Sequence, residues 1–196
     1  MSPAPVSRVK RPESRRQELL DAALKVFLRK GPATVSVEDV TSAAGAAKGT
    51  FYRYFSSRDE LTEALRDRFT RAFIAVAAER TGEASAAGWW SQLEAFVECF
   101  IEYGVEHRRE HEVLFHTVAP PVASGTDGRL VEWLGNFIRS GIGAGAFVVE
   151  EPDVTAMLLI SASHAVVDAA NSGRYEREKL TRALLRIWRK TLQPGE

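Results

Sequence analysis

Apolar residues recur three and four positions apart along nearly the whole chain, and no stretch alternates convincingly over a strand's length. The pattern predicts an all-α protein of about nine helices. Leu20, Leu24, Phe27 and Leu28 form the stripe of a first helix, which starts at Ser14 with Gln17 completing a capping box and ends at Gly31-Pro32. Ser36 with Asp39 is a second capping box. It opens a short helix with Val37, Val40, Ala43 and Ala44 on one face. Gly45 stops that helix, because glycine takes the left-handed position after a helix end without steric penalty. A third helix restarts near Ala47, anchored on one side by Phe51 and Phe55. Ser57 with Glu60 reads as a further capping box. The fourth helix carries Leu61, Leu65, Phe69, Ala72, Phe73 and Val76 inward to about Arg80.

Beyond it, residues 81–88 are rich in Gly, Ser and Ala and read as a linker. Further helices are expected over 89–107, 110–118, 127–143, 153–170 and 176–192. Pro120-Pro121 and Ser124-Gly125 separate the second and third of these. No internal repeat is present.

Chemistry concentrates in residues 36–58. Lys48, Thr50, Tyr52, Arg53 and Tyr54 occupy the sides of the third helix that Phe51 and Phe55 leave open. A helix, a tight turn and a second helix with a polar, basic face is the layout that puts a recognition helix into a DNA major groove. The run AAGAAKGTFYRYFSSRDEL resembles the signature of TetR-family transcriptional regulators, whose usual form is close to AGVSKGTFYRYFPSKEEL. The likeness extends upstream through Phe27, Gly31, Ala33, Ser36, Asp39 and Val40, and covers roughly a quarter to a third of the chain. It implies a three-helix helix-turn-helix DNA-binding head, residues 13–60, followed by a helical ligand-binding and dimerisation body, residues 61–196.

On this reading Lys48 and Gly49 meet base edges, lysine donating to guanine O6 and N7. Glu38 could accept from cytosine N4, or simply favour the start of its helix. The hydroxyls of Thr50, Tyr52 and Tyr54 suit phosphate oxygens, as do Arg53 and Arg58, where the family usually has lysine at the last position. Two departures stand out. Ala47 replaces a common serine cap, which removes about 1 kcal/mol of local helix stability. Ala46 replaces a common valine.

Charge agrees with a basic head. Residues 1–58 hold 11 Lys and Arg against 5 Asp and Glu, while residues 59–196 hold 15 against 21, although the whole chain is neutral. Arg8, Lys10 and Arg11 lie on an N-terminal arm that is either a solvated tail or a further DNA contact. One cysteine, Cys99, excludes an internal disulfide and fits a reducing compartment. No run approaches the ~18 apolar residues of a membrane span, and no signal-peptide core is present. A cytoplasmic protein with no membrane partner is expected.

The body is aromatic-rich. Its residues could form ordinary core or line a cavity, and the resemblance favours a pocket for a small, mostly apolar effector at Phe96, Phe100, Tyr103, His107, Phe115, Trp133 and Phe137. His107 and His111 are spaced to share a metal, but with His116 they match no metal motif, so neither metal nor cofactor is expected. Cys99 lies among Phe96, Val97, Phe100 and Ile101 and reads as an inert core thiol. No catalytic constellation is found. The last two helices pair small residues (Ala162, Ala165, Ala169) with Leu180, Leu184, Ile187 and Trp188. The resemblance implies that they meet a second copy as a four-helix bundle; the alternative is packing within one subunit.

The expected function is a ligand-responsive, homodimeric regulator of a double-stranded DNA operator, with repression as the expected sign. A ligand-free regulator or an activator is the nearest rival. A helical small-molecule carrier or enzyme with a degenerate head is the rival from another class.

Overall fold

A computed structural model describes residues 12–116 and 125–193. These residues form nine α-helices and no strand: α1 (Pro12–Lys30), α2 (Val37–Ala43), α3 (Lys48–Tyr54), α4 (Arg58–Glu83), α5 (Trp89–Glu106), α6 (Arg108–His111), α7 (Gly125–Gly143), α8 (Pro152–Asn171) and α9 (Arg177–Leu192).

The short helices end where local chemistry dictates. The Ser36 hydroxyl accepts from the Asp39 amide at 3.1 Å, and the Asp39 carboxylate returns to the Ser36 amide at 3.0 Å, so the capping box is complete. Gly45 follows α2 at φ 57°. The Arg15 guanidinium donates to its carbonyl and ties the turn to α1. Ala47 stands at the start of α3 with no side-chain cap, as its methyl group requires.

Several boundaries differ from expectation. α1 starts at Pro12, so Ser14 lies inside the helix and not at its cap. At the start of α4 only half of the expected box forms. Ser57 accepts from the Glu60 amide, but the Glu60 carboxylate reaches back one residue further, to the Ser56 amide and hydroxyl. The expected linker is mostly helical. α4 runs on to Glu83, and a 3-10 turn at Ala84–Ala87 leads to Gly88, at φ 96°, before α5. The sixth segment starts at Arg108, and its second half, Glu112–His116, is wound as a π-helix. Arg8, Lys10, Arg11, Pro120, Pro121 and Ser124 lie outside the described residues, as does the His116 side chain.

Two hydrophobic cores share one helix. The head core joins α1 (Leu20, Phe27), α2 (Val40), Phe51 and Phe55 around the first turns of α4 (Leu61, Leu65). Phe51 and Phe55 are essentially inaccessible; burying each such ring contributes about 1.5–3 kcal/mol. The body core joins the later turns of α4 (Phe73, Ala77) to α5, α7, α8 and α9. The division expected at residue 60 therefore falls inside a continuous helix.

α8 corrects another expectation. By length and composition it is apolar enough to cross a membrane, because its serines, threonine and histidine interrupt the apolar run without making it polar overall. One face of it, with Ala156, Leu159, Ile160 and Val167, packs into the body core. A one-sided core helix passes the same test.

Candidate nucleic-acid interface and body cavity

α3 is held by its inner side and open on its outer side. Phe51 fixes it to the head core, and Phe55, at its end, lies beneath the Arg16 guanidinium at 5.1 Å from the ring centre. That leaves Lys48, Gly49, Tyr52 and Arg53 exposed, Tyr52 to 52%, while Thr50 is half-buried. No protein atom lies within 4 Å of where a Cβ on Gly49 would stand, so that surface is unobstructed. Tyr54 is half-buried and packs against the head core.

Two predicted contact residues have partners that spacing did not reveal. Lys48 Nζ is ion-paired with Glu38 Oε1, which links the first residue of α3 to the second residue of α2. The hydrogen bond between them raises the lysine pKa and lowers that of the carboxylate. Arg58 Nη1 donates to the carbonyls of Ala33 and Val35, at 3.3 and 3.2 Å. Arg58 is exposed, but it also fastens the 3-10 turn Pro32–Thr34 that leads into α2. Asp39 is different again. A hydrogen bond from Lys30 at 2.6 Å, with those from Ser36, depresses its pKa from the ordinary 3.8 to about 2.

The body holds a small cavity of about 30 Å³, between α4, α5, the π-helical turn, α7 and α8. Space of that size admits one or two waters. Phe100, Tyr103 and Phe115 line it as expected, and Phe69, Phe73, His111 and His164 complete the wall. Burial raises the Tyr103 pKa. Four expected liners are elsewhere. Trp133 is half-buried at the edge of the core, where it stacks between Phe96, at 5.0 Å, and Phe137, at 6.0 Å. His107 packs its ring on Tyr103 at 4.2 Å and faces Glu110.

His111 and His164 are 53 residues apart in sequence, yet His111 Nε2 and His164 Nδ1 lie 3.2 Å apart. Among the described residues no three His, Cys, Asp or Glu side chains are grouped to hold a metal ion. Cys99 is buried, and burial pushes its thiol up, as for an inert core residue.

The expected interface residues divide into two sets. Leu184 and Trp188 are buried in the subunit's own core. Ala165 and Ile187 are exposed, and Ala162, Ala169 and Leu180 are half-buried. Beside them, Val154, Met157 and Leu158 add apolar exposure, Leu158 to 61%.

Comparison with known proteins places this arrangement. Residues 19–65 match the family model for bacterial regulatory proteins of the TetR family. A helix-turn-helix transcriptional regulator of Mycobacterium tuberculosis (strain CDC 1551 / Oshkosh) is 39% identical over 62 residues, 32% of this chain and 31% of that protein. The transcriptional repressor KstR2 of Rhodococcus jostii (strain RHA1) is 33% identical over 99 residues, 50% of this chain and 47% of the repressor. The chain thus spans about a third to a half of the length of these curated relatives. Over the whole fold, the crystal structure of a TetR-like transcriptional regulator from Rhodococcus sp. RHA1 superposes with a TM-score of 0.62 and 26% identity, covering 93% of this chain and 98% of that one. Over residues 19–65 the chain is similar to bacterial regulatory proteins of the TetR family, and over nearly its whole length it has the fold of a TetR-like transcriptional regulator.

Proposed function

We propose that the protein is a DNA-binding transcriptional regulator that acts as a homodimer on a pseudo-palindromic operator, represses, and is released by a small, mostly apolar effector. The observation that carries this reading is the outer face of α3, where Lys48, Gly49, Tyr52 and Arg53 are exposed on a helix anchored from behind. In this reading residues 13–60 bind DNA and residues 61–196 hold the effector and the second subunit. Lys48, Gly49 and Glu38 meet base edges. Thr50, Tyr52, Arg53, Tyr54 and Arg58 meet phosphates.

The exposed apolar face of α8 and α9 supports dimerisation, since two such faces cover each other across a two-fold axis. Ala162, Ala165, Ala169, Leu180 and Ile187 lie on it with Val154, Met157 and Leu158. Repression is favoured by likeness to a repressor over half of this chain. The effector site is the aromatic cavity. An effector would have to open it, because ligand sites are typically about 300–1,000 Å³. Opening then shifts the population towards a body conformation in which the two heads no longer match successive grooves.

The small size of the cavity also favours a second reading, a regulator that takes no ligand. Two measurements decide. Purified full-length protein should bind selected duplexes with an affinity that falls steeply as salt rises, and Arg53→Ala should reduce the log–log salt slope by about 1. Failure to bind any duplex at low salt would remove the DNA-binding reading. Calorimetry against an apolar small-molecule library, repeated with operator present, tests the effector. A true effector binds more weakly by the same factor with which it weakens DNA binding.

A further inference from the structure

The ion pair between Glu38 and Lys48 is an unusual feature for a DNA-facing surface. Its side chains are 63% and 58% exposed, so solvent screens the pair and it contributes little to folding. The fold does not depend on it, because Val40 and Phe51 already pack α2 and α3 into the head core. Neighbouring charged groups have evident structural work. Asp39 closes the capping box and holds Lys30, Arg15 holds the turn, and Arg58 holds the segment before α2. A carboxylate at this position also repels a polyanion and offsets the charge of the lysine beside it. For a surface that binds DNA, such a group weakens every complex unless it distinguishes one sequence from another.

The pair sets an anionic acceptor beside a cationic donor. In the major groove a G·C pair presents the reverse arrangement, the N7 and O6 acceptors of guanine beside the N4 amine of cytosine. The geometry points to Glu38 and Lys48 acting as one unit that reads a single G·C pair in a fixed orientation, with Glu38 as its specificity-determining member. This inference rests on the DNA-binding reading above. Lys48 donates to guanine and Glu38 accepts from cytosine. Reversing the base pair brings the carboxylate against guanine O6, acceptor against acceptor. A thymine under Glu38 presents O4 and is rejected in the same way. A thymine under Lys48 offers one acceptor in place of two. Glu38 thus acts mainly through what it excludes, and specificity is obtained at the expense of affinity.

The test uses the full-length protein on randomised duplexes, followed by affinities for all four base pairs at each position. Wild type should prefer G·C at one position in each half-site by about 5- to 150-fold over the reversed pair. Glu38→Gln should lower that ratio by strengthening the mismatched complexes, because an amide both donates and accepts, and should leave only the preference that Lys48 has for guanine. The double variant with Lys48→Gln should discriminate no less at that position than Lys48→Gln alone, since the two groups work together. A selective wild type whose preference survives Glu38→Gln unchanged at every position overturns the pair and leaves DNA binding standing. So does a selective wild type with no G·C preference anywhere. A wild type that binds no duplex overturns both.

Discussion

Leu114 and Phe115 are adjacent on the π-helical turn and join the two cores. Leu114 is buried in the head core with Leu61 and Leu65, while the Phe115 ring packs against the edge of that core and also lines the body cavity. The Leu114 carbonyl accepts from Nε of the buried Arg66 at 2.6 Å, which fixes the turn to α4. Any change in the cavity that moves Phe115 must pull on Leu114, and through it on the helix that enters the head. A π turn places the two side chains at an angle that a regular α-helix would not give, and such turns often mark functional positions.

Leu114→Ala should therefore destabilise the head although it lies in the second half of the chain. The expected loss is about 2–5 kcal/mol, the usual range for emptying a buried leucine site. Hydrogen exchange checks the location. Amides of α1 and of the first turns of α4 should exchange faster, and those of α5 and α8 less so. Uniform loss of protection would mean that Leu114 serves the body core instead.

At Gly104 α5 lies close against Val167 of α8. A Cβ there would stand 2.6 Å from Cγ1 of Val167, a short branched side chain with little room to turn away. Gly104→Ala should cost about 1–3 kcal/mol by overpacking, despite the better helix propensity of alanine. Adding Val167→Ala should recover part of the loss. Thermal or urea denaturation of the two variants decides, and a Gly104→Ala protein of unchanged or greater stability would show that the helices separate freely.

Leu158 and Ile187 are 61% and 53% exposed within one subunit. Leu158→Asp or Ile187→Asp should leave the helical content intact. If the α8–α9 face meets a second copy, either should give a monomer, because burying an unpaired charge is strongly unfavourable. Sedimentation reads the outcome, and two folded variants that remain dimeric would place the interface elsewhere. Trp188→Asp, by contrast, should collapse the body core, since Trp188 is inaccessible.

Asp39 makes a signed prediction for acid. Its pKa falls from 3.8 to about 2 on folding, so its contribution is fully present above about pH 4 and is lost as pH falls from there towards 2. Wild type should be more stable than Asp39→Asn at pH 6, and the difference should narrow across that acid window. Denaturation midpoints at pH 6, 4 and 3 test it; a difference that stays constant with pH would mean that the charge on Asp39 is immaterial.

Local chemistry was the legible part of this chain. The Ser36–Asp39 box, the stop at Gly45 and the four-residue spacing of Phe51 and Phe55 all involve residues within one or two helical turns, where spacing and side-chain type determine geometry. Long-range partners were not legible. Nothing in the sequence pairs Glu38 with Lys48, turns Arg58 onto Ala33 and Val35, or brings His111 to His164, because each depends on how helices cross. The cavity was half found for the same reason: aromatic content suggested it, but only packing directs Phe69 and Phe73 into it and stacks Trp133 away from it. On α9, leucines, isoleucine and tryptophan share a broad stripe. Spacing alone did not say that Leu184 and Trp188 face inward while Ile187 faces out.

The continuity of α4 through both cores limits how this molecule can be recombined. A head severed at residue 60 would lose Leu61 and Leu65, and with the body gone it would also lack Leu114, so three walls of its interior would open to water at once. A functional chimera therefore requires a seam beyond Leu65, on the far side of those side chains, and a recipient body that offers an apolar plug in the place of Leu114. Exchange of reading heads between proteins built this way is governed less by the groove-facing residues than by whether one leucine from a distant turn finds its socket.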